Sequence, residues 1–219
     1  MLKTTNHVCI VLAFLIFATT ASAETAPTKD TALIQLVEKL GKITTFSGTF
    51  VQYSVDQKGA RIQESRGELK ADRAGFFYWH TSEPLEQTVV SNGKEVTVYD
   101  PDLEQATIQS VGQQAQTTPA ILFSGDTAAI GENFNVEILT QLAQTIQFSL
   151  KPKSTESLFE RLVVRFEGDN LQELRITDAL AQESTMSFIQ TQINPSFSDE
   201  TFTIKLPKGT DIIRDITAR

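Results

Sequence analysis

A run of four consecutive aromatic residues sets the strongest constraint on how this chain folds. Phe76, Phe77, Tyr78 and Trp79 lie together in the segment G-E-L-K-A-D-R-A-G-F-F-Y-W-H at residues 67–80. Neighbouring side chains of a strand point to opposite faces of the sheet. A strand of a one-sided antiparallel sheet alternates apolar and polar residues, whereas this one is apolar on both faces. We therefore expect protein to cover both faces, or one face to line a pocket for an apolar ligand.

The N-terminus is typical of a secretory signal peptide. Lys3 precedes an apolar run at residues 8–18, and the small residues Ala21-Ser22-Ala23 form a cleavage site. The run is shorter than the about 20 residues that cross a bilayer. We expect residues 1–23 to be a cleaved signal peptide and residues 24–219 to form a single domain.

The expected mature chain has no cysteine, because Cys9 lies inside the signal peptide and not directly after it. It therefore has neither a lipid-attachment cysteine nor disulfide bonds, and it is long enough to rely on its core. We expect an unanchored monomer in a bacterial periplasm. The net charge of −8, without a basic stripe, disfavours binding to nucleic acid or to anionic lipid surfaces.

Hydrophobic spacing predicts one helix followed by many short strands. Leu33, Leu36 and Leu40 repeat at three- and four-residue intervals, which predicts a helix over residues 31–44 with Gly41 near its end. Segments rich in Val, Phe, Thr and Tyr, separated by turn sequences such as Asn92-Gly93, predict antiparallel hairpins. These segments are residues 46–57, 61–71, 75–80, 85–91, 94–99, 103–110, 133–140, 144–152, 159–168, 171–178, 182–193 and 200–206.

Residues 112–131 interrupt the strand pattern. Thr118 and Pro119 are typical of a helix start, and the apolar run after them ends at Gly125. A second short turn is expected over residues 126–130, with Gly131 behind it. The many strands predict a mainly β fold. The few helices are not enough to cover so large a sheet if it is flat, so we expect the sheet to curve. The curved sheet would enclose an apolar cavity under a small helical cover.

Groups for catalysis are scarce. His80 is the one histidine of the expected mature chain, and the lack of cysteine excludes a thiol nucleophile. Residues 91–94 match Ser-x-x-Lys, but the central Asn-Gly predicts a hairpin turn. Residues 100–105 carry alternating acidic side chains as in a calcium loop, but Gln105 stands where such loops need glycine. We expect no enzymatic activity, no metal and no cofactor.

Several motifs, in order along nearly the whole expected mature chain, resemble those of a known family. They are F-S-G-T-F-V-Q (46–52), R-A-G-F-F-Y-W (73–79), V-V-S-N-G-K (89–94), V-Y-D-P-D-L-E-Q-A-T (98–107), T-P-A-I-L-F (118–123) and F-T-I-K-L-P-K-G (202–209). The chain resembles the periplasmic outer-membrane lipoprotein carriers, the LolA family. The resemblance implies an incomplete antiparallel β-barrel with a helical lid over a hydrophobic cavity. It also implies that acylated lipoproteins are taken from an inner-membrane ABC transporter and passed to an outer-membrane receptor, itself a lipoprotein.

The same resemblance implies roles for individual residues. Arg73 matches an arginine that donates hydrogen bonds to lid backbone and holds the empty cavity shut, although Ala74 replaces the proline that usually follows. The implied backbone partners of this latch belong to Leu40, Ala120, Phe123 and Ser124. The implied acyl-chain cavity is lined by Phe50, Phe77, Trp79, Ile121, Leu122 and Phe123. From the residues alone, a solid core is the favoured interpretation of these aromatic side chains, and only the resemblance favours a cavity lining.

Three other functions stay open at this point. The chain could transport lipids or glycolipids through the periplasm on the same scaffold, since a fold does not decide its ligand. It could be a regulatory domain that senses acylated signals. A hydrolase would have to combine a serine with His80.

Overall fold

Twelve short β-strands dominate the described part of the chain. The computed structural model describes residues 29–111, 122, 126–155 and 157–214, so the predicted signal peptide lies outside it. The strands are β1 (Thr45–Val55), β2 (Arg61–Asp72), β3 (Phe76–Glu83), β4 (Gln87–Asn92), β5 (Glu95–Asp100), β6 (Gln105–Ser110), β7 (Phe134–Leu142), β8 (Thr145–Pro152), β9 (Arg161–Glu167), β10 (Asn170–Thr177), β11 (Glu183–Ile193) and β12 (Asp211–Arg214). The helices are α1 (Lys29–Gly41), α2 (Thr127–Asn133) and a 3₁₀ helix (Asp199–Phe202).

All twelve strands belong to one open sheet. Their order is β12-β6-β5-β4-β3-β2-β1-β11-β10-β9-β8-β7. Neighbours are antiparallel, except that β12 runs parallel to β6. Because β12 and β7 lie at opposite edges and do not pair, the sheet does not close. The mainly β, incomplete-barrel fold is therefore confirmed.

The turn sequences act as predicted. Gly93 takes a φ of +82° between β4 and β5, a conformation that glycine adopts without steric cost. The Asn92 side chain accepts hydrogen bonds from the backbone N–H groups of Lys94 and Glu95. At residues 100–105, Asp100 Oδ1 accepts from the Leu103 N–H. Both segments are turns, as predicted. The sequence had favoured a turn over a catalytic Ser-x-x-Lys motif at residues 91–94, and a turn over a calcium loop at residues 100–105.

The predicted strand at residues 200–206 is wrong. Its period-two pattern belongs to a segment that crosses the sheet instead of joining it. Phe202 is 7% exposed and packs against Phe76 of β3 with ring centroids 5.8 Å apart, and also against Phe197 at 5.3 Å. This C-terminal segment covers a face of β3 and β4, where no strand edge is free to pair, and the last strand forms only at Asp211–Arg214.

Helix α2 is longer than the predicted turn at residues 126–130, because it continues through Gly131. The side chain of Asp126 caps its start by accepting from the Ala129 N–H. A Cβ on Gly131 would lie 2.9 Å from Leu33 of α1. The glycine therefore allows α1 and α2 to approach closely, and does not end the helix.

The hydrophobic core lies between α1, α2 and one face of the sheet, which we call the inner face. Helix α1 buries Ala32, Leu36 and Leu40 on this face, in agreement with its predicted apolar side. The sheet contributes a set of buried residues that alternates along each strand. They include Phe46, Phe50, Leu69, Phe148, Leu162, Val164, Phe166, Leu174 and Phe188. In the part of the chain that the structure describes, no helix is long and apolar enough to cross a membrane.

Candidate functional site

The four-aromatic run divides between the two faces of β3. Phe77 and Trp79 lie opposite Ala71 and Leu69 of β2, which places them on the inner face. The side chains of Phe76 and Tyr78 lie on the outer face. Phe76 is covered by the C-terminal segment, and the Tyr78 ring lies 4.9 Å from Lys70 Nζ and 6.3 Å from the His80 ring.

The core of the inner face at β1–β3 is an aromatic pair over a glycine. Phe50 is 1% exposed, and its ring centroid lies 4.5 Å from that of the half-buried Trp79. Gly67 of β2 lies directly opposite Phe50, and a Cβ at Gly67 would approach Phe50 Cζ to 2.7 Å. An aromatic ring that covers a cross-strand glycine replaces the packing that the glycine lacks. Phe50 and Trp79 are thus brought together as one apolar surface.

Leu122 belongs to the same core cluster as Phe50. Leu122, which was predicted to line the acyl-chain cavity, is 5% exposed. The pocket that Leu122 and Arg73 line has a volume of ≈ 10 Å³. That is room for about one water molecule. This pocket is too small for an acyl chain. Ile121 and Phe123 lie outside the described residues, so their predicted role in the cavity stays a prediction, as does the cavity itself.

Arg73 reaches the C-terminal end of α1. Its Nη1 donates to the carbonyl oxygen of Gly41 at 3.4 Å, and its backbone N–H donates to Thr44 O at 3.0 Å. The first distance is longer than the usual 2.7–3.2 Å, so this bond is weak. A cation near a helix C-terminus also interacts favourably with the helix dipole. The acceptor lies one residue beyond the predicted Leu40, and the other predicted partners, Ala120, Phe123 and Ser124, lie outside the described residues.

The turn that presents Arg73 is fixed without the proline of the family pattern. The backbone N–H of Ala74, which a proline would lack, donates to Asp72 Oδ1 at 2.8 Å. The Gly75 N–H donates to Asp72 O at 3.0 Å, which closes a β-turn, and Gly75 takes a φ of +87°. Asp72 thus restrains a turn that lacks the proline of the family pattern.

A polar cluster anchors the end of α1 to distant strands. Lys39 Nζ donates to Gly168 O at 2.8 Å, and Lys42 Nζ lies 2.9 Å from Asp169 Oδ2. The hydrogen bond from Lys42 is the main cause that holds the pKa of the Asp169 carboxyl below its usual 3.8, with Lys39 adding to it. Asn194 completes the cluster, since its side chain donates to Lys42 O at 2.9 Å. The sequence showed only a turn at 169–170, because these partners are more than 100 residues apart.

Among the residues that the structure describes, the candidate catalytic histidine lies away from the inner face. His80 lies on the outer face, where its Nδ1 is 3.0 Å from Thr88 Oγ1. Within residues 29–111, 122, 126–155 and 157–214, no group of three or more His, Cys, Asp or Glu side chains is arranged to hold a metal ion. Around Phe50 and Trp79, the described inner face offers apolar contact.

Comparison with known proteins gives one consistent answer. A family model for the outer membrane lipoprotein carrier protein LolA matches residues 41–205. The outer-membrane lipoprotein carrier protein of Hahella chejuensis is 40% identical over 177 residues, which cover 80% of this chain and 85% of that relative. Its namesake from Azotobacter vinelandii is 37% identical over 201 residues, 92% of this chain and 97% of the relative. The crystal structure of an uncharacterized conserved protein from Thermus thermophilus shares the fold, with a TM-score of 0.55 at 13% identity over 86% of this chain and 100% of that one. This chain belongs to the LolA family of outer membrane lipoprotein carrier proteins.

Proposed function

We propose that this protein is a periplasmic chaperone for acylated lipoproteins. In this proposal it takes them from an inner-membrane ABC transporter and delivers them to an outer-membrane receptor that is itself a lipoprotein. The observation that carries the proposal is the family match over residues 41–205, together with 40% identity to a relative named as an outer-membrane lipoprotein carrier. The proposed location follows from the family and from the signal peptide predicted at residues 1–23.

Acyl chains leave a membrane only for a site that is equally dry. Burial of an acyl chain contributes about 0.8 kcal/mol per CH₂, so water is a poor intermediate. The inner face offers an apolar surface around Phe50, Trp79 and Phe77. Since the described pocket beside Leu122 is too small for an acyl chain, loading in this proposal requires that a cover opens.

Arg73 is suited to control that opening. Its guanidinium offers five N–H donors in a planar fork and joins the β2–β3 turn to the end of α1. A hydrogen bond from a charged group contributes roughly 1.5–3 kcal/mol, and this long, half-exposed one belongs near the lower end. Burial of about two CH₂ groups offsets that amount, so a cargo opens the latch and its release closes it again.

The experiment is a two-step transfer assay on the mature protein with Arg73→Leu. Loss of the latch destabilises the closed, empty state and leaves the loaded state nearly unchanged. Loading is then as good as in the wild type or better, because more of the protein is open. Delivery falls by about fivefold or more, since release no longer regains the latch contact.

Two further variants sharpen the assay. Arg66→Leu removes an exposed arginine of the same hairpin, whose ion pair with Glu64 lies on the outer face, and it is expected to load and deliver normally. Arg73→Lys keeps the charge but not the planar fork, and is expected to fall between the wild type and Arg73→Leu. Equal delivery by wild type and Arg73→Leu would refute the latch. Failure of the wild type to take up any lipoprotein would refute the carrier function.

A further inference from the structure

The inner face changes from apolar to polar along β1. Phe46 and Phe50 are followed on the same face by Gln52 and Ser54. The cross-strand register extends this change to the neighbouring strands, because Ser65 of β2 lies opposite Gln52 and Ser184 of β11 lies opposite Ser54. On β11 the change comes later, since the residue opposite Gln52 is still the apolar Met186. Ser54 and Ser184 share a hydrogen bond of 2.7 Å between their hydroxyl groups. Thr81 of β3 lies opposite Gly67, in the same cross-strand row as Phe50.

These side chains form a polar corner at one end of an otherwise apolar surface. It consists of Gln52, Ser54, Ser65, Thr81 and Ser184. Ser54 and Ser65 are buried, with 9% and 7% of their surface exposed. Burying hydroxyl groups is unfavourable unless they find hydrogen-bond partners, so packing alone does not favour them here over alanine or valine.

Trp79 lies at the boundary between the two regions and is oriented by both. Its ring packs on Phe50, while its indole Nε1–H donates to Thr81 Oγ1 at 3.1 Å. The indole has an apolar body and one polar edge, and such a side chain suits a boundary of this kind. The Thr81 hydroxyl keeps its own hydrogen as a donor for a further partner.

The proposed cargo has the same division of polarity. Its acyl tails are hydrocarbon, and at their base are ester and amide carbonyl groups, which accept hydrogen bonds, followed by the peptide. Hydroxyl groups and a glutamine side-chain amide supply donors of the kind those carbonyls need. If a carbonyl were buried beside the apolar rings instead, its desolvation would be uncompensated.

We propose that the polar corner binds the ester and amide carbonyls at the base of the acyl chains. The tails then extend over Phe50 towards Phe46 and α1, and the peptide leaves the protein past Thr81. This inference rests on the proposed carrier function and adds to it a subsite that recognises the linkage, not the tails. It predicts that the protein distinguishes an acylated cysteine from a bare hydrocarbon chain.

The test compares two ligands on the mature protein and on Thr81→Val. One ligand is a synthetic triacylated cysteine peptide, and the other is a hexadecyl chain attached to pyrene, which has no carbonyl. Because Trp79 is the only tryptophan, energy transfer from it to pyrene reports binding, and the peptide is measured by displacement. Thr81→Val keeps the shape and a high strand propensity but removes the hydroxyl. We expect it to weaken peptide binding by about three- to tenfold and to change pyrene-probe binding by less than about twofold.

Matched variants separate the subsite from general damage. Thr97→Val makes the same substitution on the outer face of β5 and is expected to leave both affinities unchanged. Thr81→Ser restores a hydroxyl and is expected to restore peptide binding. Gln52→Leu tests the corner from β1 and is expected to act like Thr81→Val.

Two results would overturn the subsite while leaving the carrier function intact. In one, Thr81→Val and Gln52→Leu bind the peptide as tightly as the wild type. In the other, they lose the peptide and the pyrene probe equally, which would show a damaged apolar surface. If the wild type binds the pyrene probe but not the triacylated peptide, both the subsite and the carrier function fail.

Discussion

Gly67→Ala tests the packing on which the inner face depends. A Cβ at this position would lie 1.9 Å from the carbonyl oxygen of His80 on β3 and 2.7 Å from Phe50 Cζ. The oxygen is a backbone atom, so it cannot move without β3. To restore an ordinary contact of 3.4 Å, the strand must shift by about 1.5 Å in an interior that is packed as densely as an organic crystal.

The expected destabilisation follows from that shift. Overpacking of a dense core costs about 1–3 kcal/mol, and this contact belongs at the upper end because backbone has to move. Loss of the favourable geometry between Phe50 and Trp79 adds about 0.5–1.5 kcal/mol. We therefore expect Gly67→Ala to lower the free energy of unfolding by about 3–4 kcal/mol.

Urea unfolding provides the measurement, followed by the emission of Trp79 and by circular dichroism. Gly41→Ala is the matched control, because its Cβ would have no neighbour within 4 Å and it lies at the end of α1. Alanine there is expected to be neutral or stabilising by up to about 1 kcal/mol. If Gly67→Ala has the same urea midpoint of unfolding as the wild type, that result would contradict the close packing of Gly67 against β3 and Phe50.

Two further predictions concern the contacts that hold α1 and the C-terminal segment against the sheet. Asp169→Asn removes the ion pairs with Lys39 and Lys42. These pairs hold the pKa of Asp169 below 3.8. Their contribution to folding stability is therefore present above that pH, and it is lost as the pH falls through the lowered pKa. The stability difference between wild type and Asp169→Asn should thus be measurable at pH 7 in low salt and vanish near pH 2, and a difference independent of pH would contradict it. Phe202 is 7% exposed and packs against Phe76. Phe202→Ala should lower the free energy of unfolding, measured in urea, by about 3 kcal/mol. A decrease of less than about 1 kcal/mol would show that the C-terminal segment is not part of the core.

Local patterns explain which parts of the fold could be predicted from the sequence. Hairpins such as the one at Asn92-Gly93 depend on a few adjacent residues, and the structure reproduces them. The segment at residues 200–206 has the alternation of apolar and polar residues that is typical of a strand. However, its Phe202 packs against Phe76 on the outer face of β3, and this contact joins residues far apart in sequence. The expected end at Gly131 failed for the same reason, since the glycine serves a contact with Leu33.

The sequence predicted only part of the candidate site, because its other contacts join residues that are far apart in the chain. Aromatic residues at every position of 76–79 do not show which face is internal, and only the pairing of β3 with β2 decides it. The anchor of α1 at Asp169 and Asn194 joins residues more than 100 positions apart. The polar corner likewise appears only when the register of β1, β2, β3 and β11 is known.

The most direct test of the carrier function is to identify what touches the inner face in living cells. A photo-crosslinking amino acid replaces Trp79, and in a matched strain it replaces Thr97 on the outer face. After irradiation the protein is purified from the periplasm, and its adducts are identified by mass spectrometry. We expect triacylated lipoproteins attached at position 79 and absent at position 97. Free phospholipid alone at position 79, or no adduct that position 97 lacks, would contradict this expectation.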